Sequence, residues 1–248
     1  MTKIFSFLTI VALFLGGIYL FQNFQRAQNY GAPPYSDDIE QENFSIEEDF
    51  SDWKRPDGPL KVGIQAGHWK TSEMPEEQRR LRERGGGTRN GEVTEWEVNL
   101  RIAEETKKIL EKEGITVEIL PSTIPPSYWA DAFVSIHADG NPDPSKSGFK
   151  VAAPRRDYSG RSKELANIID ITYGNEIDMV RDPNITRNMT GYYAFAWWRF
   201  EHAIHPMTPA AILETGFLSS PQDFNLLVYS PEKSAQAIAK ALLAFLKT

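Results

Sequence analysis

The chain has 248 residues, of which 41% are hydrophobic and 25% charged, and its formal net charge at pH 7 is −7. This composition excludes a collagenous, a fully disordered and a polytopic membrane protein, and the absence of a basic excess argues against nucleic-acid binding. The chain contains no cysteine, which excludes disulfides, thiol catalysis and thiolate metal ligands.

The first 27 residues predict a membrane segment. Residues 4–21 form an apolar run without a charge, flanked by Lys3 and Arg26. A helix of that length spans about 27 Å, close to the thickness of the hydrocarbon core of a bilayer. We therefore interpret residues 1–27 as an uncleaved signal anchor with the globular part outside the cytoplasm. A cleaved signal peptide is the alternative interpretation.

The next segment, residues 28–58, carries most of the negative charge of the chain, with nine acidic and two basic side chains in residues 28–57. Low hydrophobicity together with high charge predicts a flexible acidic linker. Three aromatic residues, Phe44, Phe50 and Trp53, leave a second interpretation open, in which this segment binds a partner or inhibits the domain that follows.

Residues 59–248 predict a single α/β domain. Apolar runs predict strands at 60–66, 115–120, 132–136, 149–153 and 210–213, and helical periodicity predicts helices at 92–112, 161–177 and 234–246. Strands that alternate with helices are typical of a mostly parallel sheet. The prediction is a three-layer domain with a central, mostly parallel β-sheet flanked by helices.

Three of the predicted strands are followed by or end on a titratable residue: His68, His137 and Glu214. In open α/β sheets, sites form outside the carboxyl ends of the strands, so we expect these side chains to meet at one edge. The helix at 92–112 adds a fourth group. Glu95 lies three residues before Val98 on the apolar face of this helix, and Glu92 lies three residues earlier and remains an alternative.

This set of residue types indicates metal-assisted hydrolysis. Two imidazoles and one carboxylate are a known ligand set for catalytic zinc, which leaves one position open for water. The absence of cysteine leaves only hard and borderline ligands, which suit a hydrolytic site. A carboxylate outside the ligand set is needed to move the proton of the water, and Glu214 suits this role.

The motifs around these residues resemble those of the zinc-dependent N-acetylmuramoyl-L-alanine amidases, the type 3 amidases that cut bacterial peptidoglycan. AGHW with His68 resembles the strand-end G-H motif of the family, and EWEVNLRIA from Glu95 resembles its E-x-x-x-N-L helix start. SIHAD with His137 is similar to the S-I-H-A motif, and ILETGFLSSPQD with Glu214 is similar to the closing E-x-G-F-L-S motif. The strand sequence SGFKVAAP also resembles the family, and the matches follow its order over nearly all of residues 60–248.

The resemblance implies that His68, Glu95 and His137 bind Zn²⁺ and that Glu214 is the catalytic acid/base. The expected reaction is hydrolysis of the amide bond between N-acetylmuramic acid and L-alanine by a zinc-activated water. Two alternatives stay open: a zinc peptidase that acts on another amide of the wall peptide, and a wall-binding scaffold without turnover.

The expected partners are peptidoglycan as the substrate and the membrane through the N-terminal helix, with a protein activator left open and no nucleic acid. The expected location is extracytoplasmic, in the periplasm or on the cell-wall side, with residues 4–21 as the anchor in the cytoplasmic membrane.

The sequence also departs from the family. Trp69 and Lys70 follow His68 where the family usually has glycines, the T-R-x-x-D signature is absent, and a charged insertion occupies residues 71–89. We interpret the charges of this insertion as a solvated helix face, with a lid or an inhibitory segment as the alternative. The aromatic stretch at 192–200 is expected to pack against the sheet. His205 is expected either beside Glu214 or in a turn, and it stays outside the metal set.

Overall fold

A five-stranded sheet lies at the centre of the part of the chain that the computed structural model describes, residues 50–248. The strands in chain order are β1 (Lys61–Ala66), β2 (Arg89–Asn90), β3 (Val93–Thr94), β4 (Thr116–Leu120), β5 (Ala132–Asp139), β6 (Lys150–Ala152) and β7 (Ala210–Phe217). The order in the sheet is β4-β1-β5-β7-β6, and only β6 runs antiparallel to its neighbour. The separate strands β2 and β3 pair with each other. The prediction of a mostly parallel sheet is therefore confirmed.

Three long helices cover one face of this sheet. The helices in chain order are α1 (Arg79–Arg84), α2 (Glu95–Lys112), α3 (Ser162–Glu176), α4 (Arg187–Thr190), α5 (Pro221–Tyr229) and α6 (Pro231–Phe245). Helix α6 packs against both α2 and α3. The buried face of α2 includes Val98, Ile102, Thr106 and Leu110 at helical spacing, which explains why periodicity located this helix.

The start of α2 is fixed by local chemistry. The carboxylate of Glu97 accepts hydrogen bonds from the backbone N–H and the hydroxyl of Thr94. A threonine that precedes a helix and pairs with a glutamate three residues later is a capping box. This pair makes Glu95 the first helical residue, where the prediction began the helix at Glu92.

The second face of the sheet is covered by an irregular segment, residues 186–205. It contains only α4 and the 3-10 turn Tyr193–Phe195. The buried cluster on this face includes Phe133 from β5 and Phe195, whose ring centroids are 6.3 Å apart in an edge-to-face contact. The expected packing of the aromatic stretch against the sheet is confirmed for Tyr192, Tyr193 and Phe195.

Residues 50–58, the end of the predicted linker, contact the domain. The Arg55 guanidinium forms two hydrogen bonds to the Asp131 carboxylate, Nε to Oδ1 at 2.6 Å and Nη2 to Oδ2 at 2.9 Å. The Trp53 ring stacks on the His205 ring at 5.6 Å, and the Phe50 ring lies 5.9 Å from His205. The compact unit accordingly begins at Phe50.

The predicted signal anchor and most of the predicted linker, residues 1–49, lie outside the described residues. Within residues 50–248, none of the helices combines the length and the apolar character needed to cross a membrane.

Candidate metal centre

The carboxyl ends of the parallel strands bring the predicted site residues together. His68 follows β1 by two residues, Glu95 begins α2, and His137 lies near the end of β5. Glu214 in β7 is the direct register partner of His137 on the neighbouring strand. The alternative carboxylate, Glu92, is exposed, whereas Glu95 is buried. The sheet edge predicted from the strand ends therefore carries all four side chains.

His68, Glu95 and His137 form a compact cluster of ligand atoms. Each residue offers one atom, and these atoms lie within 4.8 Å of one another. Glu95 Oε1 is 3.0 Å from His137 Nδ1 and 3.6 Å from His68 Nε2. Two ligands that are each ~2.0–2.1 Å from a tetrahedral zinc lie about 3.3 Å apart. The spacing therefore fits a zinc ion, and within residues 50–248 no other group of His and acidic side chains has it.

In each of these side chains, the polar atom that points away from the ligand cluster has a partner in the protein. Glu95 Oε2 accepts a hydrogen bond from the backbone N–H of Thr88 at 2.7 Å. His137 Nε2 lies 3.0 Å from the Tyr192 hydroxyl, and His68 Nδ1 lies 3.4 Å from the carbonyl oxygen of Gly85. Protein metal sites commonly fix their ligands in this way, through the ring nitrogen or oxygen that does not face the metal.

Two glycines allow backbone to lie directly against the cluster. A Cβ on Gly67 would overlap the His137 ring, and a Cβ on Gly87 would overlap the Glu95 carboxylate and the His68 ring. Gly87 also has a φ of +81°, in the region that favours glycine. Side chains at these two positions are therefore excluded by the site itself.

The charges of the cluster depend on one another. Burial lowers the pKa of His68, and the nearby Glu95 charge opposes this only in part. Burial would raise the pKa of Glu95, but the hydrogen bond to His137 and the charge of His68 outweigh it and lower the pKa. Burial also opposes charging of His137, but the bond to Glu95 and the charge of Glu214 outweigh it and raise the pKa. Glu95 is thus held as an anion, which suits a cation site.

The pKa of Glu214 is raised, in contrast to that of Glu95. Burial raises its pKa to about 8; the charges of Asp139 and Glu95 act in the same direction, while His137 and Lys150 oppose them. Its Oε2 atom is buried without a hydrogen-bond partner among the described residues. A partly buried carboxyl beside a ligand cluster, with one buried oxygen that lacks a hydrogen bond and a pKa of about 8, has the properties of a proton carrier.

Lys150 lies beside Glu214 as its register partner on β6. Its side chain is 4% exposed, and its ammonium pairs with Asp139 at 2.6 Å and Asp182 at 2.9 Å. These two carboxylates hold the lysine charge in place. Lys150 is absent from the residues predicted for the site, although a lysine within the otherwise apolar run of a buried strand indicates a polar partner nearby.

The charged insertion forms two 3-10 turns and α1, and no residue of α1 is buried. Arg79 pairs with Glu76 and Glu83 on this solvent-facing side, as expected for a solvated helix face. Beyond α1, residues 85–88 reach the ligand cluster. His205 lies in the turn before β7, where its Nδ1 accepts a hydrogen bond from the backbone N–H of Met207.

Comparisons with known proteins agree with this geometry. The model of a family described as N-acetylmuramoyl-L-alanine amidase matches residues 62–244. N-acetylmuramoyl-L-alanine amidase AmiA of Escherichia coli (strain K12) is 28% identical over an alignment of length 202, and the match covers 63% of this chain and 70% of AmiA.

Solved structures share the fold. The amidase AmiC2 of Nostoc punctiforme superposes with a TM-score of 0.54 at 22% identity, covering 78% of this chain and 100% of AmiC2. Ami1 from Mycobacterium smegmatis gives a TM-score of 0.56 at 19% identity, covering 76% and 97% of the two chains. The CwlD amidase from Clostridioides difficile, solved in complex with the GerS lipoprotein, gives 0.52 at 19% identity, covering 76% and 98%.

Proposed function

The chain belongs to the N-acetylmuramoyl-L-alanine amidase family, and from this premise we propose that it hydrolyses the amide bond between N-acetylmuramic acid and L-alanine in peptidoglycan with the help of zinc. Family membership supports peptidoglycan amidase activity. The observation that carries the zinc dependence is the cluster of His68, Glu95 and His137, with ligand atoms within 4.8 Å of one another.

In this proposal His68 Nε2, Glu95 Oε1 and His137 Nδ1 hold the ion. The chemistry that zinc supplies in such a site is Lewis acidity, which lowers the pKa of a water and polarises a carbonyl group. The remaining polar atoms of the three side chains keep their partners in the protein: Gly85 for His68, Thr88 for Glu95 and Tyr192 for His137.

Glu214 is the proposed general acid/base. As the water oxygen bonds to the carbonyl carbon, the Glu214 carboxylate takes a proton from that water. The same proton then passes to the nitrogen of the leaving L-alanine as the C–N bond breaks, which releases a carboxylic acid and a free amine. Two observations support this role: the unpaired Oε2 atom and a pKa of about 8, which suits a group that must both accept and donate near neutral pH.

We extend the proposal to the cellular arrangement. Residues 1–27 act as a signal anchor, with residues 4–21 in the cytoplasmic membrane. The acidic linker predicted at residues 28–58 ends in residues 50–58, which pack on the domain, and residues 59–248 are the catalytic domain on the outer side. The support is the apolar run of the sequence together with a substrate that lies outside the cytoplasm. A protein activator is included, because CwlD was solved in complex with the GerS lipoprotein.

The direct test is mass spectrometry of purified muropeptides after incubation with the full chain. We expect release of stem peptides with a free L-alanine amine, abolished by a chelator and restored by added Zn²⁺. Cleavage within the stem peptide would instead identify a zinc peptidase. Intact muropeptides in the presence of bound zinc, with and without candidate activators, would contradict turnover and favour a wall-binding scaffold.

Substitution of Gly87 by alanine tests the loop that lies against the ligands. The new Cβ would overlap the Glu95 carboxylate, and the φ of +81° adds backbone strain. We expect a roughly 10–100-fold loss of zinc affinity, as for other changes to groups that support ligands. The zinc affinity of the variant is measured by competition with a chromogenic chelator.

The matched control is Gly86→Ala in the same loop. A Cβ at Gly86 meets no heavy atom within 4 Å, and this residue has no positive φ. Equal losses of zinc affinity in the two variants would show that loop flexibility, and not contact with Glu95, matters.

A further inference from the structure

The two ring nitrogens of His137 have different partners. Nδ1 faces Glu95 Oε1 at 3.0 Å, and Nε2 faces the hydroxyl of Tyr192 at 3.0 Å. The rings of His137 and Tyr192 meet edge to face, with centroids 5.4 Å apart. His137 is 6% exposed, so water has little access to either nitrogen.

This arrangement has a consequence for metal binding. A neutral imidazole carries one proton, and the nitrogen that binds a metal cannot carry it. If Nδ1 faces the metal, Nε2 must carry the proton, and a buried N–H without an acceptor is costly. The tyrosine hydroxyl has lone pairs that can accept this hydrogen bond. It can also donate when Nε2 has no proton, so it suits both the loaded and the unloaded site.

The surroundings of Tyr192 fix its position. Its ring packs on the rings of Tyr193 at 4.5 Å and Phe195 at 5.5 Å. The Tyr193 hydroxyl in turn donates to the carbonyl oxygen of Ser122 at 2.7 Å. The hydroxyl of Tyr192 is therefore presented to His137 by a packed aromatic group and not by a mobile side chain.

The His137 ring itself is confined from a second side. Gly67 lies so close to the ring that a Cβ would overlap three of its atoms. Confinement by Gly67 and the hydrogen bond to Tyr192 together oppose a rotation that would exchange the two nitrogens.

We propose that Tyr192 is a positioning residue for the metal centre: its hydroxyl accepts the Nε2–H of His137 and thereby selects Nδ1 as the ligand atom. This inference rests on the proposed role of His137 as a zinc ligand. It assigns a task to a tyrosine of the irregular segment on the second face of the sheet, beyond the packing expected of its aromatic stretch.

The first test is the zinc affinity of Tyr192→Phe in the full chain, measured by chelator competition. The variant keeps the ring and its packing and removes the hydroxyl group that His137 Nε2 faces. We expect a roughly 10–100-fold weaker affinity. Tyr128→Phe is the matched control, because Tyr128 is a buried tyrosine of the same hydrophobic cluster, four residues before β5 and outside the ligand cluster, and we expect this variant to keep the wild-type affinity. Equal affinities in the two variants would overturn the proposal.

The second test identifies the ligand atom. The chain has four histidines, so ¹⁵N-histidine labelling and long-range ¹H–¹⁵N spectra of the zinc-loaded protein resolve each ring. We expect the His137 proton on Nε2 in the wild type. A proton on Nδ1, with Nε2 bound to zinc, would overturn the proposal. The Tyr192→Phe spectrum should show an altered Nε2–H signal, which a change confined to packing would not produce.

These readouts separate the two levels of inference. Zinc binding by the wild type that is no stronger than binding by His137→Ala would overturn the metal site and the tyrosine role together. Tight binding by the wild type that Tyr192→Phe retains would overturn the tyrosine role alone. Cleavage of muropeptides is measured separately and affects neither conclusion.

Discussion

Substitution of Glu214 by glutamine should leave zinc binding intact and lower amide hydrolysis by roughly 10²–10⁴-fold, the contribution of a positioned general acid–base. Glutamine has nearly the same shape as glutamate but cannot carry the proton from water to amine. The carboxyl belongs to the sheet edge but not to the ligand cluster, so the ion should stay. Turnover of muropeptides and zinc content of the purified variant are the two measurements.

The same substitution should stabilise the protein at neutral and mildly alkaline pH. Glu214 has a folded-state pKa of about 8 against an ordinary value of 4.5, so the folded state holds the proton more tightly. Its contribution to stability is present in full below pH 4.5 and falls as the pH rises to about 8. The gain from glutamine should therefore grow over this range, reaching the order of a few kcal/mol in chelator-treated protein.

The control for both effects is Glu92→Gln, which makes the same chemical change at an exposed position three residues before Glu95. This variant should retain activity. The difference between its melting temperature and that of the wild type should stay constant as the pH rises. A Glu214→Gln variant with wild-type turnover would remove Glu214 from the mechanism. A variant that loses zinc as well would make it part of the metal site.

Substitution of His137 by alanine should abolish zinc binding and, with it, activity. This side chain supplies Nδ1 to the cluster and links Glu95 on one side to Tyr192 on the other. Its removal leaves two ligands, fewer than catalytic zinc sites use. We expect a zinc content near zero after dialysis against a weak chelator, and hydrolysis at the level of the blank reaction.

His202→Ala is the matched control for this variant. His202 is partly exposed and pairs with Glu77 of the insertion at 2.7 Å, outside the ligand cluster. It should retain full zinc content, which separates loss of a ligand from loss of any histidine. Equal zinc content and equal activity in His137→Ala and the wild type would refute the proposed metal site.

The ligand cluster was accessible from the sequence because its positions follow from regular structure. His68 and His137 come at the ends of apolar runs, and parallel strands bring such ends to one edge of the sheet. Glu95 shares the helical phase of Val98 and Ile102, which are buried in the core. The strand ends therefore located the sheet edge, whereas periodicity reduced the inward-facing acid to Glu95 or Glu92, and the resemblance to the family selected Glu95.

The supporting residues were not accessible in this way. Tyr192 lies 55 positions from His137 in the chain, in an irregular segment without periodicity. Thr88 binds Glu95 through its backbone N–H, which no side-chain pattern reveals. The covering of the second sheet face by residues 186–205 likewise depends on tertiary packing.

Helix α5 was missed for a different reason. Ser220 caps it by accepting from the backbone N–H of Asp223, and Pro221 occupies its first position. Both are ordinary helix-start signals. With only nine residues, the helix is too short for its apolar spacing to stand out against the strand that precedes it.

Residues 50–58 contact the domain at the edge of the sheet opposite the ligand cluster. Arg55 binds Asp131, directly before β5, whereas His137 lies six residues further along the chain, about 20 Å away at 3.3 Å per residue. Attachment and reaction therefore occur at opposite edges of the sheet. When residues 50–248 are immobilised on a bead or a sensor chip through a group attached directly at Phe50, the edge of the sheet that carries the ligand cluster faces the solution. An insoluble polymer as large as a cell-wall fragment can then reach the active edge without passing the support.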